Sequence, residues 1–270
     1  MYILAQNGGV ETDGKLVVAS ATTLEKEQGI QTIPTITTPS HIAVTSNNAI
    51  YLRGGNGVYR FDPQANTVTK LLNAGAKNRM AVIGDKVFSY NGKSISVLQD
   101  GSDLAVKTID MEQTIIGIIP SADGNIWAAS ASKIFKINST TYELVEHSIT
   151  ESTIGSISAA PSISACGNRI YFRNSTKVWC HDFTSSTTVQ KGDVLNHLNY
   201  DGSAGTFYNG FGVHPTTEEV CYTSIKGFGL NYLINYIGIF DFSNTSAPLK
   251  VKYNDYLHFP AGVYYPETFK

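Results

Sequence analysis

The chain has 270 residues, of which 42% are hydrophobic, with 15 Tyr, 12 Phe and a formal net charge of −2. That composition supports a large core built from strand-forming rather than helix-forming residues. The near-neutral charge gives no basic surface for nucleic acid or anionic membrane, and no run reaches the roughly 18–20 apolar residues of a membrane span.

The opening "MYILAQNGG" lacks the basic start, apolar centre and small-residue cleavage site of an export signal. It reads as a strand entered at once, and as the start of a mature fragment whose leader has been removed. Strands are expected at 2–5 and 15–19. The next pair, 50–53 and 58–62, flanks Gly54, Gly55, Asn56 and Gly57 as a hairpin.

The hairpin recurs. Strands at 87–90 and 94–98 flank Asn91-Gly92, a dipeptide that favours tight hairpin turns. Further pairs lie at 126–129 with 133–138, 170–173 with 178–182, and 220–223 with 236–241, the last across a longer loop. Their first strands begin at 50, 87, 126, 170 and 220, spacings of 37, 39, 44 and 50 residues. A repeat of that length, built from short strands, is the signature of a β-propeller blade.

Apolar segments at 41–44, 80–85, 115–120, 157–166 and 210–215 supply an inner strand A before each hairpin of strands B and C. After strand C come Asp62, Asn138, Asp182 and Asp241, whose side chains can bind the backbone two residues on and start the turn into an outer strand D. The N-terminal repeat has no strand A, and 259–265 supplies one with no hairpin after it. The fold expected is therefore an all-β propeller of six four-stranded blades. The C-terminal strand closes it by joining the N-terminal blade, and 1–270 forms a single domain. Seven blades are the alternative, if 192–204 conceals further strands.

Cys166, Cys180 and Cys221 are odd in number and lack C-x-x-C spacing, so they read as buried thiols rather than a disulfide framework or zinc site. His41, His214 and His258 fall at alternating ends of strands A, which suits local hydrogen bonding better than a shared metal. Neither metal nor cofactor is expected. No G-x-S-x-G, H-E-x-x-H or phosphate-binding loop occurs, and Glu11, Asp13, Glu218 and Glu219 read as turn charges. No catalytic residue is assigned. A hydrolase or lyase with an axial-channel site is the alternative, and it would need convergent carboxylates or histidines from several inner strands.

In a propeller the B–C and D–A loops share one face. Most B–C loops here are short, but 224–235 is long and rich in Gly, Asn and aromatics, which marks it as a binding candidate. Phe228 and Tyr232 would stack on a ligand, Asn209 and Asn231 would orient its polar groups, and Arg79 would meet an anionic or carbonyl group. Asn78, Tyr208 and His258, from D–A loops, complete the set. The composition suits a polyhydroxylated or large amphipathic ligand and equally a protein interface.

Three segments, "YNGFGVHPTTEEVCYT", "YIGIFDFSNTSAPLKVKY" and "FPAGVYYPE", resemble the YVTN-like propellers of Bacteroidetes surface and secreted lipoproteins, in particular the DUF5074 group. The resemblance implies export, an N-terminal lipid anchor in the full-length precursor, and a periplasmic or outer-membrane location beside TonB-dependent transporters. It also implies capture of a small molecule, a glycan or corrinoid-type ligand, or a transporter partner, without catalysis. Relatives usually carry seven blades, where this chain reads as six.

Overall fold

The computed structural model describes residues 2–5, 14–18, 20, 22–23, 25–27, 31–36, 38–74, 79–121, 123–148, 163–166, 168–174, 177–193, 206–214, 217–225, 235–241, 250–254 and 260–264. Among them the strands pair into six antiparallel four-stranded sheets. Sheet I contains β1 (Tyr2–Ala5), β2 (Gly14–Val18) and β3 (Gln31–Ile33). Sheet II is β4 (Pro39–Val44), β5 (Ile50–Gly54), β6 (Gly57–Asp62) and β7 (Thr67–Asn73). Sheet III is β8 (Met80–Ile83), β9 (Lys86–Asn91), β10 (Ser94–Gln99) and β11 (Lys107–Asp110).

Sheet IV is β12 (Gly117–Pro120), β13 (Ile126–Ala129), β14 (Lys133–Ile137) and β15 (Leu144–Ser148). Sheet V is β16 (Ile163–Cys166), β17 (Arg169–Asn174), β18 (Lys177–Asp182) and β19 (Thr187–Asp193). Sheet VI is β20 (Thr206–Val213), β21 (Val220–Ile225), β22 (Asn235–Phe240) and β23 (Lys250–Asn254). The last strand, β24 (Pro260–Tyr264), returns to sheet I and pairs with β1, Tyr2 opposite Tyr264 and Ile3 opposite Val263. The first sheet thus takes its inner strand from the far end of the chain, as the missing strand A required, and its edge is covered.

The first strands of successive sheets touch in a ring: β4 meets β8, then β12, β16, β20 and β24, and β24 meets β4 again. The molecule is an all-β propeller. Its core lies in the seams between sheets, where the two inner faces interdigitate. Leu4, Leu16 and Ile33 of sheet I pack on Ile42, Ile50, Leu52 and Phe61 of sheet II. The other face of sheet II sends Ala43, Tyr51 and Val58 against Val82, Val87 and Leu98 of sheet III.

The period-2 alternation of a strand explains this sharing. Ile50 and Leu52 serve one seam and Tyr51 the other, so every position of β5 is buried. Outer strands have a neighbour on one side only, and β7 and β11 are mostly exposed. No helix among the described residues is long and apolar enough to cross a membrane.

The turn into the outer strand repeats in detail. Asp62 Oδ1 accepts the N–H groups of Gln64 and Ala65 at 2.8 and 3.0 Å. Asn138 Oδ1 accepts those of Thr140 and Thr141, both at 2.8 Å, and Asp182 Oδ1 those of Thr184 and Ser185 at 2.8 and 3.2 Å. Four residues after each acceptor, Asn66, Tyr142 and Ser186 take left-handed φ values of 53°, 65° and 54°. These side chains are turn formers, the role their recurrence predicts; Asp241 precedes residues outside the described set.

Candidate functional site

An antiparallel ring has two ends, and their polar chemistry differs. At the end carrying the A–B and C–D turns, polar side chains tie sheet II to III, III to IV and V to VI. The Thr45 and Tyr51 hydroxyls and the Asn47 amide of sheet II donate to the Asp100 carboxylate of sheet III at 2.7, 2.8 and 3.2 Å. Burial, then the Asp100 carboxylate, raises the pKa of the Tyr51 phenol well above its ordinary value. Lys86 Nζ reaches from sheet III to Ser139 O at 3.2 Å and lies 5.3 Å from the Tyr142 ring centre.

Between sheets V and VI, Arg169 Nη1 donates to Glu218 Oε1 at 2.6 Å, and the Tyr171 hydroxyl donates to the same oxygen. Burial disfavours the Glu218 carboxylate, but these two donors outweigh it and hold its pKa below the usual range. Tyr51 and Tyr171 occupy the same place in their repeats, and each grips a carboxylate of the following sheet. Glu218, a solvated turn charge by sequence, is in fact part of a seam.

At the other end, on the seam between sheets II and III, three buried nitrogen groups come together. Arg53, at the end of β5, is 0% exposed. Its Nη1 donates to Ser89 Oγ at 2.5 Å and its Nη2 to Tyr90 O at 3.3 Å. Arg79, immediately before β8, and His41, in β4, are 6% and 8% exposed. His41 Nδ1 accepts the Met80 N–H at 3.1 Å, so its neutral ring carries the proton on Nε2.

The β8–β9 register places Met80 opposite Ser89. His41 therefore holds one member of that pair and Arg53 the other, with Arg79 next in the chain to Met80. Burial pushes the Arg53 pKa down to about 10. Burial first, then the Arg79 and Arg53 charges, hold His41 well below its ordinary 6.5.

Gly54 lets the chain turn here: a Cβ on it would stand 2.7 Å from both Ile36 Cγ2 and Pro39 Cα. No L side chain fits between this hairpin end and the segment that enters β4.

Of the residues selected from sequence, Arg79 joins this cluster. Tyr208 and Asn209 are not in a loop as expected; they are strand residues of β20. The β20–β21 register shifts between Phe207 and Phe211, so 208–210 bulge out of the ladder, a device that re-aims a strand. Asn78, Phe228, Asn231, Tyr232 and His258 lie outside the described residues, as does the loop core 226–234.

Arg53 was missed as a site residue, although its signal was present. It shares the parity of Tyr51 in a strand apolar on both faces, so its charge had to be buried. His41 and His214 stand at opposite ends of their strands as read, and His214 Nδ1 accepts the Thr217 N–H at 3.2 Å. Cys180 and Cys221 are buried free thiols, and burial pushes the Cys180 thiol up to about 11. Among the described residues no three His, Cys, Asp or Glu are grouped to hold a metal, and β4, β8, β12, β16, β20 and β24 contain neither Asp nor Glu.

The family model described as "Domain of unknown function (DUF5074)" matches residues 1–266. No curated protein matches the sequence. Among solved structures, the WD40 repeats of RRP9 superpose with a TM-score of 0.53 at 12% identity, over 81% of this chain and 64% of that one. Virginiamycin B lyase from Staphylococcus aureus gives 0.53 at 12%, over 78% and 70%. A quinonprotein alcohol dehydrogenase-like protein from Bacteroides thetaiotaomicron gives 0.52 at 12%, over 93% and 65%. This chain thus spans about two thirds of the length of each, and at such identities the likeness is one of fold.

Proposed function

This chain belongs to the DUF5074 family, and from that premise we propose that it is a non-enzymatic binding propeller of six blades. It takes a ligand or a partner protein on the face formed by the B–C and D–A loops. One observation carries the reading: beside the B–C and D–A loops the seam between sheets II and III is joined through buried nitrogen groups, Arg53 to Ser89 and Tyr90 and His41 to the Met80 N–H, with Arg79 next to Met80. Titratable groups perturbed by burial and by neighbouring charge in this way cluster at functional sites.

The six-blade count is supported by the six sheets and by the contacts of β24 with β20 and β4. The bulge at Tyr208 and Asn209 and the long 224–235 connection belong to the same half of the ring, which favours a site there for Phe228, Asn231, Tyr232 and His258. Export to the periplasm or outer-membrane surface, a lipid anchor on the precursor, and service to an outer-membrane uptake system follow from the family resemblance, with a corrinoid- or glycan-type molecule or the transporter itself as what is bound.

The test is a thermal-shift screen of the purified chain against corrinoids, haem and glycans, with pull-down from envelope extract beside it. A ligand of the native state raises the midpoint in proportion to the logarithm of its concentration over Kd. A rise that Phe228→Ala and Tyr232→Ala reduce supports the assignment. Binding that both variants leave unchanged would overturn the site, and absence of any ligand or specific envelope partner would overturn the function.

A further inference from the structure

We propose that Asn91 is a self-modification site: the backbone nitrogen of Gly92 cyclises its side-chain amide, and water then opens the ring to leave a carboxylate on the loop face. The inference goes beyond the ligand-binding reading and does not depend on it. Asn-Gly pairs fall in the B–C hairpins of two neighbouring sheets, Asn56-Gly57 in sheet II and Asn91-Gly92 in sheet III, and their settings differ. In sheet III, Asn91 ends β9 opposite Ser94, so the turn itself is Gly92-Lys93. Gly92 stands outside the ladder at a φ of 60°, and a Cβ on it would meet nothing within 4 Å. The Asn91 side chain is exposed and makes no hydrogen bond with described residues.

In sheet II, Gly57 already belongs to β6 and stands opposite Gly54. A Cβ on it would lie 2.6 Å from Leu72 O. The Asn56 side chain is tied down, its Oδ1 accepting from Lys70 Nζ at 2.9 Å and from the Tyr59 hydroxyl at 3.4 Å. That pair must leave the sheet before it can react, whereas Asn91 and Gly92 need only rotate in an exposed turn, which the wide conformational range of glycine permits.

The reaction balances with water alone. Solvent hydroxide takes the Gly92 N–H proton, the nitrogen attacks Asn91 Cγ, the Cγ–Nδ2 bond breaks, and Nδ2 leaves as ammonia with a proton from water. Water then opens the cyclic imide at either carbonyl, giving an aspartyl or an isoaspartyl linkage. Ser94 assists the first step: its hydroxyl donates to Asn91 O at 3.2 Å, the oxygen of the peptide unit that holds the Gly92 nitrogen. Deprotonating that nitrogen sends negative charge to this oxygen, so the hydroxyl stabilises the attacking anion, as a donor aimed at developing charge does. Either product sets a carboxylate beside Lys93. The isoaspartyl form also lengthens the main chain, in a turn whose Gly92 and Lys93 carbonyls accept the Ile115 and Met111 N–H groups at 2.9 and 2.7 Å.

The experiment incubates the full chain at neutral and mildly alkaline pH, native and in urea, and follows both Asn-Gly pairs by peptide mass mapping and by enzymatic methylation of isoaspartyl groups. In the native protein Asn91 should convert at least about tenfold faster than Asn56, which waits on local opening of its hairpin, and the rate should rise in proportion to hydroxide. In urea the two pairs should react alike, since they are the same dipeptide. Asn91→Gln should remove the native signal, because the larger imide closes slowly. Ser94→Ala should slow conversion about three- to tenfold, as loss of one hydrogen bond to a developing charge does, with the melting midpoint nearly unchanged.

Equal native rates at Asn56 and Asn91, or conversion of Asn91 in urea alone, would overturn the site. A rate unchanged in Ser94→Ala would overturn the part given to its hydroxyl.

Discussion

Replacing Asp100 by alanine should part sheets II and III at the turn-bearing end. Asp100 accepts from the Thr45 hydroxyl at 2.7 Å, the Tyr51 hydroxyl at 2.8 Å and the Asn47 amide at 3.2 Å. Hydrogen bonds to a charged group contribute about 1.5–3 kcal/mol each in a dry site. Asn47 is exposed and adds little, whereas Tyr51 is 0% exposed and would leave its hydroxyl without that acceptor.

Counting Tyr51 and Thr45, and discounting for the partial exposure of Asp100, the loss is about 2–4 kcal/mol, or roughly 5–12 °C in midpoint for a domain of this size. Asp100→Asn keeps an oxygen acceptor and should lose about 1 kcal/mol. The assay is urea unfolding of Asp100→Ala, Tyr51→Phe and the double variant, with amide exchange on β5 and β10. A coupling of about 1–2 kcal/mol is expected. Strictly additive losses would refute the reasoning, because the carboxylate would then not be what joins the sheets.

Other consequences can be checked in the same unfolding format. Gly54→Ala drives a methyl to 2.7 Å from Ile36 Cγ2 and Pro39 Cα, and should cost about 1–3 kcal/mol through a backbone shift that also disturbs Arg53. Ser186→Gly should instead stabilise by about 0.5–1 kcal/mol, since Ser186 is exposed at a φ of 54° that glycine adopts freely. On acidification, His41 should destabilise first. The unfolded chain protonates near 6.5 while the folded one resists, so stability is complete above about 6.5 and falls below it. Its slope should approach about 1.4 kcal/mol per pH unit, and His41→Gln should remove it.

The carboxylates act in a lower window. Glu218 has a folded pKa below 4.5, so its contribution is present above 4.5 and lost as pH falls through the folded value. Glu218→Gln should flatten that limb while leaving the His41 limb in place.

The fold was legible because a propeller writes its geometry into local sequence several times over. Each repeat needs an apolar inner strand, a hairpin buried on both faces and an acceptor such as Asp62 or Asn138 at the outer turn. One ambiguous copy is corrected by the others. The chain ends were legible for the same reason: a repeat without strand A and a strand A without a repeat have one economical solution, the β1–β24 pair. Tyr208 and Asn209 were misplaced because a bulge leaves no mark in apolar periodicity; the extra residues of 208–210 look like loop until the β20–β21 register is seen.

The site was less legible because it depends on pairs of sheets rather than on one repeat. Nothing in the local sequence says that Arg53 will meet Ser89, or that the histidine thirty-nine residues before Met80 will take its N–H. Yet the parity rule contained part of it. In a strand where Ile50, Tyr51 and Leu52 are all needed by seams, a following arginine cannot reach water without leaving the ladder. Placing a charge there costs desolvation that an apolar residue does not; at the matching place of sheet IV stands the buried Ala129. A repeat protein offers its own controls: where one copy carries a buried charge and another carries a methyl, the fold of a blade does not by itself require the charge.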